Sequence, residues 1–384
     1  MLNSTNMLNR PRLILIIFLL GLIFASSKAV LAYEFAHYMI DARTGKFLYG
    51  KNYEKKLHPA SLTKMMTLYL TFNELTANRL DLDDKVTISQ NAAQEPSSKL
   101  WLLAGQRVSI RTLVRGAAIR SANDAATALA EHISGSEKKF ADYMTIAARE
   151  MGMSKTVFKN AHGLTASNHL SSPKDMAILA RRLITDFPQY YNLFGRTSVQ
   201  TLGKTIYNTN RKFLAAYDGS DGIKTGYTSL AGYNLAASAD REGVRIIGVI
   251  FGAGSVALRN KRMTELLDLG FAKAPMVGGS TPLLPIHLRP DMINQIGKNS
   301  LLNLSAIPLS RPKGFFSSMS IGVEAESQEI EQIVKEVRSS LMKETIVKPQ
   351  VSDESFPTMT NIHLDIPPDR PKMLMKDQVP VNVK

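Results

Sequence analysis

Leu235-Ala236-Ala237-Ser238-Ala239 and Val244-Arg245-Ile246-Ile247-Gly248-Val249-Ile250-Phe251 are two short strand-type runs separated by Asp240-Arg241-Glu242-Gly243. So short a polar spacer leaves no room for a crossover, so the runs predict an antiparallel hairpin. A second hairpin is expected at the start of the same region. Residues 35–40 are extended, Asp41-Ala42-Arg43-Thr44-Gly45 is a turn signal, and residues 46–49 return. Between the hairpins the apolar period becomes helical, at residues 110–119, 124–133, 138–151 and 174–184, and residues 257–269 form a closing helix. Strands at both ends with helices between them predict an α/β fold. Its antiparallel sheet is built from the two ends of the chain and flanked by helices, with a helical region inserted in the middle.

Proline marks where this region stops. Residues 33–270 hold Pro59, Pro96, Pro173 and Pro188, whereas residues 271–384 hold twelve prolines. The first stretch reads as a packed domain, and the second as a looser, partly disordered region. Residues 283–288 and 301–307 are strand candidates there, interrupted by Pro282, Pro285, Pro290 and Pro308. One helix is expected near residues 324–343, with Ile330, Ile333, Val334, Val337 and Leu341 on one face. Its acids come first and its bases last, which suits the helix dipole and favours docking on the domain or a partner. No repeat of solenoid period is present.

The N-terminus has the pattern of a secretory signal peptide over residues 1–32. Arg10 and Arg12 precede the apolar residues 13–25, and small residues end at Ala32. The apolar run falls short of the roughly 20 residues of a spanning helix. Cleavage there would remove Arg10, Arg12, Lys28 and no acids, leaving +11 of the formal +14. The expected place of work is the periplasm or cell-wall space, where a cationic protein meets anionic lipid or acidic wall polymer. No nucleic-acid module or basic block with interleaved aromatics is found. The absence of cysteine excludes a thiol nucleophile, an iron–sulfur cluster and a disulfide scaffold. The scattered histidines show no metal-ligand pairing, His162 and His169 read as structural, and no cofactor or metal is expected.

The remaining chemistry is a serine and a lysine. Ser61-Leu62-Thr63-Lys64 opens a helical pattern carried by Leu62, Met65, Met66, Leu68, Tyr69 and Phe72. Residues three apart on a helix share a face, so Lys64 can reach the Ser61 hydroxyl. A serine needs a base to take its proton, and a lysine can be that base only if burial or a second cation lowers its pKa. The spacing alone is weak, because serine precedes lysine by three at Ser61, Ser136, Ser171, Ser310 and Ser340. Two further elements select Ser61: Ser121-Ala122-Asn123 after a helix, and Lys224-Thr225-Gly226 before the terminal hairpin. The serine-x-asparagine pattern recurs at Ser4 and Ser89, whereas Lys-Thr-Gly occurs once. Together they supply a nucleophile and base (Ser61, Lys64), a proton relay (Ser121), a group for a substrate amide (Asn123) and a carboxylate clamp (Lys224, Thr225).

These residues resemble a known family. His58-Pro59-Ala60-Ser61-Leu62-Thr63-Lys64-Met65-Met66-Thr67 is similar to the active-site segment of serine-type D-alanyl-D-alanine carboxypeptidases, the low-molecular-weight penicillin-binding proteins. Ser121-Ala122-Asn123-Asp124-Ala125-Ala126 resembles their second motif. Asp221-Gly222-Ile223-Lys224-Thr225-Gly226-Tyr227-Thr228, with Ala231-Gly232-Tyr233-Asn234-Leu235, resembles their third, and Asn160-Ala161-His162-Gly163-Leu164 a further family segment. The likeness covers about residues 33–270. It implies the penicillin-recognising serine hydrolase (β-lactamase/transpeptidase-like) fold and a catalytic domain over those residues. It also implies removal of the terminal D-alanine from peptidoglycan stem pentapeptides through a Ser61 acyl-enzyme, with β-lactam antibiotics as covalent inhibitors.

In that likeness the oxyanion hole uses the N–H groups of Ser61 and Tyr227, next to Gly226, and Arg211 assists Lys224 with the carboxylate. Many family members continue with a small β-rich domain and a membrane-lying helix, which implies peripheral membrane contact. Residues 271–384 do not clearly match either element. One alternative is a class A-like β-lactamase, which needs a deacylating glutamate between the second and third motifs. Glu131, Glu137 and Glu150 lie there, with no E-x-x-L-N string after them. The other alternative is a catalytically silent peptidoglycan-binding homologue.

Overall fold

The computed structural model describes residues 35–276, 279–292 and 330–336. The signal-peptide reading of residues 1–32, the strand candidate at 301–307 and most of the tail lie outside the described residues.

Both hairpins form, and they share one sheet. β1 (Ala36–Asp41) and β2 (Phe47–Lys51) make the first. β3 (Ser220–Thr228), β4 (Gly232–Arg241) and β5 (Val244–Ala253) make an antiparallel meander. Glu242 and Gly243 connect β4 to β5 with φ of +53° and +79°, the left-handed pair of a tight hairpin turn. β1 pairs with β5 from Ala36 opposite Phe251 to Asp41 opposite Ile246, so the order is β2-β1-β5-β4-β3. The sheet thus joins the two ends of the region and leaves β3, the strand of Lys224, at an edge.

The inner strands β1, β4 and β5 are buried on both faces, which is why they read as largely apolar runs. The two-residue period of a strand sends Tyr38, Ile40, Ile247, Val249 and Phe251 into one core cluster, and Met39, Ile246 and Ile250 into another. The first cluster is completed by the inserted helices: α1 (Lys64–Thr76), α2 (Asn123–Ser134), α3 (Glu137–Glu150) and α4 (Pro173–Asp186). The second is completed by α5 (Val256–Lys273), through Met263, Leu266 and Leu267. The caps are where local chemistry asks for them. Ser136, Ser172 and Ser255 each accept an N–H of the first turn of α3, α4 and α5, and Pro173 opens α4.

α1 is buried almost all round, from Lys64 to Leu75. A helix enclosed in this way cannot be adjusted by solvent, and it fixes whatever its first turn carries. Beyond α5, residues 279–292 lie along the domain. Thr281 N–H bonds Arg43 O, and Leu288 is buried, its carbonyl accepting from the Asn73 side chain. Residues 283–288 carry no strand. Pro282 and Pro285 remove the N–H donors that a ladder would need. Residues 330–336 are helical and pack Ile330, Ile333 and Val334 on the second cluster, and the rest of the helix expected near 324–343 is outside the described residues.

Candidate active site

Ser61 sits in a 3-10 turn, Ala60–Thr63, that runs directly into α1. Residues i and i+3 eclipse in a 3-10 turn, so Lys64 stands over Ser61 more directly than an α-helical start would place it. Lys64 Nζ is 3.1 Å from Ser61 Oγ. It is also 2.7 Å from Asn123 Oδ1 and 2.7 Å from the His162 carbonyl oxygen. Lys64 is fully buried. Burial pushes its pKa well below the ordinary lysine value, and the Lys224 charge adds to this, while Glu95 and Asp124 oppose it.

The Ser61 turn is held from three sides. Asn234 of β4 donates to the His58 carbonyl at 2.9 Å. Gly226 of β3 lies so close that a Cβ there would be 3.0 Å from Pro59 O and 3.0 Å from Ser61 N, so the third motif presses its glycine against the Ser61 amide. On the third side Gly163 has φ +90°, and a Cβ there would be 1.9 Å from Ala60 O. Only glycine fits that conformation and that space. Ala60 itself has φ +48°, an uncommon conformation for a residue with a side chain, in the peptide that leads into Ser61. His169 is buried below, its Nδ1 accepting the Lys159 N–H and its Nε2 2.9 Å from Thr63 Oγ1, and burial first, then the nearby cationic groups, lowers its pKa to about 3.

Ser121 and Asn123 enter from the start of α2. The preceding helix ends in a widened π-type turn, Gly116–Arg120, and Ser121 follows at φ +64° and ψ +35°, nearly buried. π-type turns and left-handed non-glycine residues both cluster at functional sites. Asn123 was expected to meet a substrate amide. In the structure its Oδ1 accepts from Lys64, and its Nδ2 donates to the Pro96 carbonyl at 2.8 Å, which orients the amide.

On the other wall, Lys224 is buried on β3 with Nζ 3.0 Å from the carbonyl of Thr225. Burial first, and then the Arg259 charge, lowers its pKa to about 7. Thr225 Oγ1 donates to Thr209 Oγ1 at 2.8 Å. Tyr227 is half-exposed, its ring 4.4 Å from that of Tyr233. Arg211 is not drawn into this group: it is exposed, with its guanidinium 5.7 Å from the Tyr207 ring. The cation beside Lys224 is Arg259 in the first turn of α5, buried, its pKa lowered by burial to about 10. Sequence distance favoured Arg211, at the start of a short helix ahead of β3. The sheet topology brings α5 back instead, and no local sequence signal marks Arg259.

Of the other serine–lysine spacings, the two among the described residues have ordinary duties, Ser136 as a cap and Ser171 in a hydrogen bond with Thr156, and Ser89 likewise caps a helix. Glu131 accepts from Asn91, Glu150 is exposed, and Glu137 accepts from the Ala161 N–H at 2.9 Å. Glu95, Glu137 and His162 bring three possible metal-ligand atoms within 4.8 Å of one another. His162 Nδ1 accepts the Leu164 N–H, so Nε2 carries the ring hydrogen and points it between the carboxylates. Thr127 Oγ1 donates to Glu95 and the Ala161 N–H to Glu137, with the His162 ring between the two carboxylates.

Comparison with known proteins places this arrangement. The sequence model of Peptidase_S11, D-alanyl-D-alanine carboxypeptidase, matches residues 26–255. D-alanyl-D-alanine carboxypeptidase DacF of Bacillus subtilis is 41% identical over 240 residues, 61% of each chain. The match therefore spans less than two thirds of that relative's length. D-alanyl-D-alanine carboxypeptidase DacC of Escherichia coli is 36% identical over 70% of this chain and 68% of its own. Among solved structures, penicillin binding protein 5 from Haemophilus influenzae superposes with a TM-score of 0.60 at 35% identity, covering 64% of this chain and 72% of that one. Penicillin-binding protein D2 from Listeria monocytogenes in its ampicillin-bound form gives 0.58 at 31% identity, covering 64% of this chain and 99% of that one. The fold is the penicillin-recognising, transpeptidase/β-lactamase-like fold.

Proposed function

The chain belongs to the D-alanyl-D-alanine carboxypeptidase family, Peptidase_S11, and from that premise we propose that it removes the terminal D-alanine from peptidoglycan stem pentapeptides through an acyl-enzyme on Ser61. One observation carries the proposal, the hydrogen-bond valence of Lys64. An uncharged amine has two N–H donors and one lone pair. Asn123 Oδ1 and the His162 carbonyl take the two donors, which leaves the lone pair for the Ser61 hydroxyl 3.1 Å away. Burial and the second cation favour that uncharged form.

In the proposed reaction Lys64 takes the Ser61 proton as Oγ attacks the carbonyl between the two D-alanines. The N–H groups of Ser61 and Tyr227 face the oxygen that becomes negative. The close seating of Gly226 against the Ser61 amide supports that pairing. The C–N bond breaks, and the departing D-alanine nitrogen receives the proton from Lys64 through the Ser121 hydroxyl. Lys224 and Thr225 clamp the C-terminal carboxylate, and Arg259 adds positive charge behind them. Water then attacks the acyl ester as Lys64 takes its proton, the bond to Ser61 Oγ breaks, and Lys64 returns the proton to Oγ. A β-lactam would acylate the same serine, and its opened ring would stay attached as a tethered leaving group.

The proposed site of action is outside the cytoplasm, on the strength of the N-terminal pattern and the wall substrate. Among the described residues no helix is long and apolar enough to cross a membrane. The test is incubation with a pentapeptide ending in D-alanyl-D-alanine, read by mass spectrometry. Loss of one alanine by wild type and none by Ser61→Ala is expected. An intact peptide, or equal release by Ser61→Ala, would overturn the proposal. Rapid turnover of labelled penicillin with no lasting label would instead favour a β-lactamase.

A further inference from the structure

Lys64 is held by two acceptors, and both trace back to one short segment that no sequence motif marks. The first acceptor, Asn123 Oδ1, is set by that residue's own bonds: Nδ2 donates to Pro96 O at 2.8 Å, and the backbone N–H donates to Ser98 O at 2.7 Å. The second, the carbonyl of His162, belongs to a residue whose ring is fixed on both sides. Nδ1 accepts the Leu164 N–H at 3.1 Å, and Nε2 lies 3.4 Å from Glu95 Oε1 and 3.3 Å from Glu137 Oε1. Glu95 is in turn held by the Thr127 hydroxyl at 2.9 Å, and Glu137 by the Ala161 N–H at 2.9 Å. Glu95 and Pro96 are neighbours in the chain, so one turn of backbone orients both acceptors of the amine.

We propose that Glu95 and Glu137, acting through the His162 imidazole, are positioning residues for the base: they fix the His162 carbonyl on Lys64 and place two carboxylates behind it. The inference rests on the reading of Lys64 as the base for acylation. Neither carboxylate touches Ser61 or the substrate groups, so this is a support for the base and not a second base. Its electrostatic consequence has a definite sign. The groups that face Lys64 are Lys224 of β3, Asp124 of α2, Glu95, the His169 imidazole and the backbone carbonyl of His162. Glu95 and Asp124 raise the pKa of Lys64 against burial and Lys224, so removing the charge of Glu95 lets it fall further. Glu95 itself is kept ionised: burial acts against this, but bonds from His162 and Thr127 and the Lys64 charge hold its pKa below the usual carboxylate value.

The experiment follows acylation by a fluorescent penicillin between about pH 5 and pH 10, a range that brackets the titration of a perturbed lysine. It uses the full chain of wild type, Glu95→Gln, Glu137→Gln and the surface control Glu150→Gln, with melting temperatures alongside. In Glu95→Gln the rising acidic limb of the rate should move to lower pH by about one unit, the size expected for one nearby charge. On the limb this is up to about a tenfold gain in rate. Glu137→Gln should move the limb the same way by less, and Glu150→Gln should leave it in place. An unmoved limb in both cluster variants, with or without a lower melting temperature, would make the trio merely structural and overturn the proposal. A limb displaced to higher pH would overturn it as well. If Glu95→Gln does not fold, Glu137→Gln decides by the same criterion. If wild type takes up no label at any pH, the proposed function fails instead, which distinguishes the two failures.

Discussion

The helix wall and the strand wall on either side of Ser61 each bury a lysine, and the two lysines are treated differently. On the helix wall Lys64 has three oxygen atoms within 3.1 Å, and each of its fixed acceptors is itself held by further bonds. On the strand wall, among the described residues, Lys224 Nζ has one hydrogen bond, to the carbonyl of the next residue, and its cationic neighbour is Arg259. Both amines have depressed pKa values, burial being the first cause in each. The helix wall is complete as it stands, which suits the proton acceptor proposed for it. The strand wall is two cations with little to neutralise them, which suits a site that becomes satisfied when a carboxylate binds.

The largest break in this comparison is Lys64→Met. Removing the acceptor for the Ser61 proton should lower penicillin acylation and D-alanine release by about 10³-fold or more, with little change in the KM for peptide. Equal losses in kcat and in affinity would mean that the helix wall also binds substrate.

Lys224→Met should do the reverse, raising KM by about 10–100-fold, the value of a hydrogen bond to a charged group. It should also change stability with pH. Lys224 titrates at about 7 in the fold and near the ordinary lysine value when unfolded. The cost of burying its charge is therefore fully present below about pH 7 and fades as pH rises toward about 10. The variant should gain stability on the order of 3 kcal/mol at pH 6, and progressively less at higher pH. A melting-temperature difference that is flat across this range would contradict the assignment.

Gly163→Ala tests the support of the helix wall. A methyl group at φ +90° would meet Ala60 O, so a loss of about 2 kcal/mol or more is expected in denaturant melts, with slower acylation as the Ser61 turn shifts. The smallest effect belongs to Arg211→Ala. Its side chain is exposed over Tyr207, so KM and kcat should change by less than about twofold. A large rise in KM would restore Arg211 to the carboxylate clamp.

Much of this molecule was legible residue by residue. The hairpins were readable because short turn signals, Asp240-Arg241-Glu242-Gly243 and Asp41-Ala42-Arg43-Thr44-Gly45, sit between strand-type runs. Ser61, Lys64, Asn123 and Lys224 were readable because each lies in a short pattern whose chemistry depends on local spacing, and the fold gathers them on the two sides of one turn. Asn123 was readable as a site residue, but its bonds to Lys64 and Pro96 were not. Glu95 and Arg259 were not readable at all. Each reaches the site across a long sequence separation, and each is by itself an ordinary charged residue near a helix end.

The sequence by itself determined the chemical parts: a serine three residues before a lysine, a second serine with its asparagine, and a lysine on a strand ending in glycine. It also determined the period of each element, because side-chain alternation and helical spacing are properties of the chain over a few residues. Only the tertiary structure decided which cation stands beside Lys224, which carboxylates stand behind Lys64, and that both lysines are buried. Burial and charge proximity depend on what the rest of the chain packs around a residue. Those two quantities, not residue type, convert an ordinary lysine into a base.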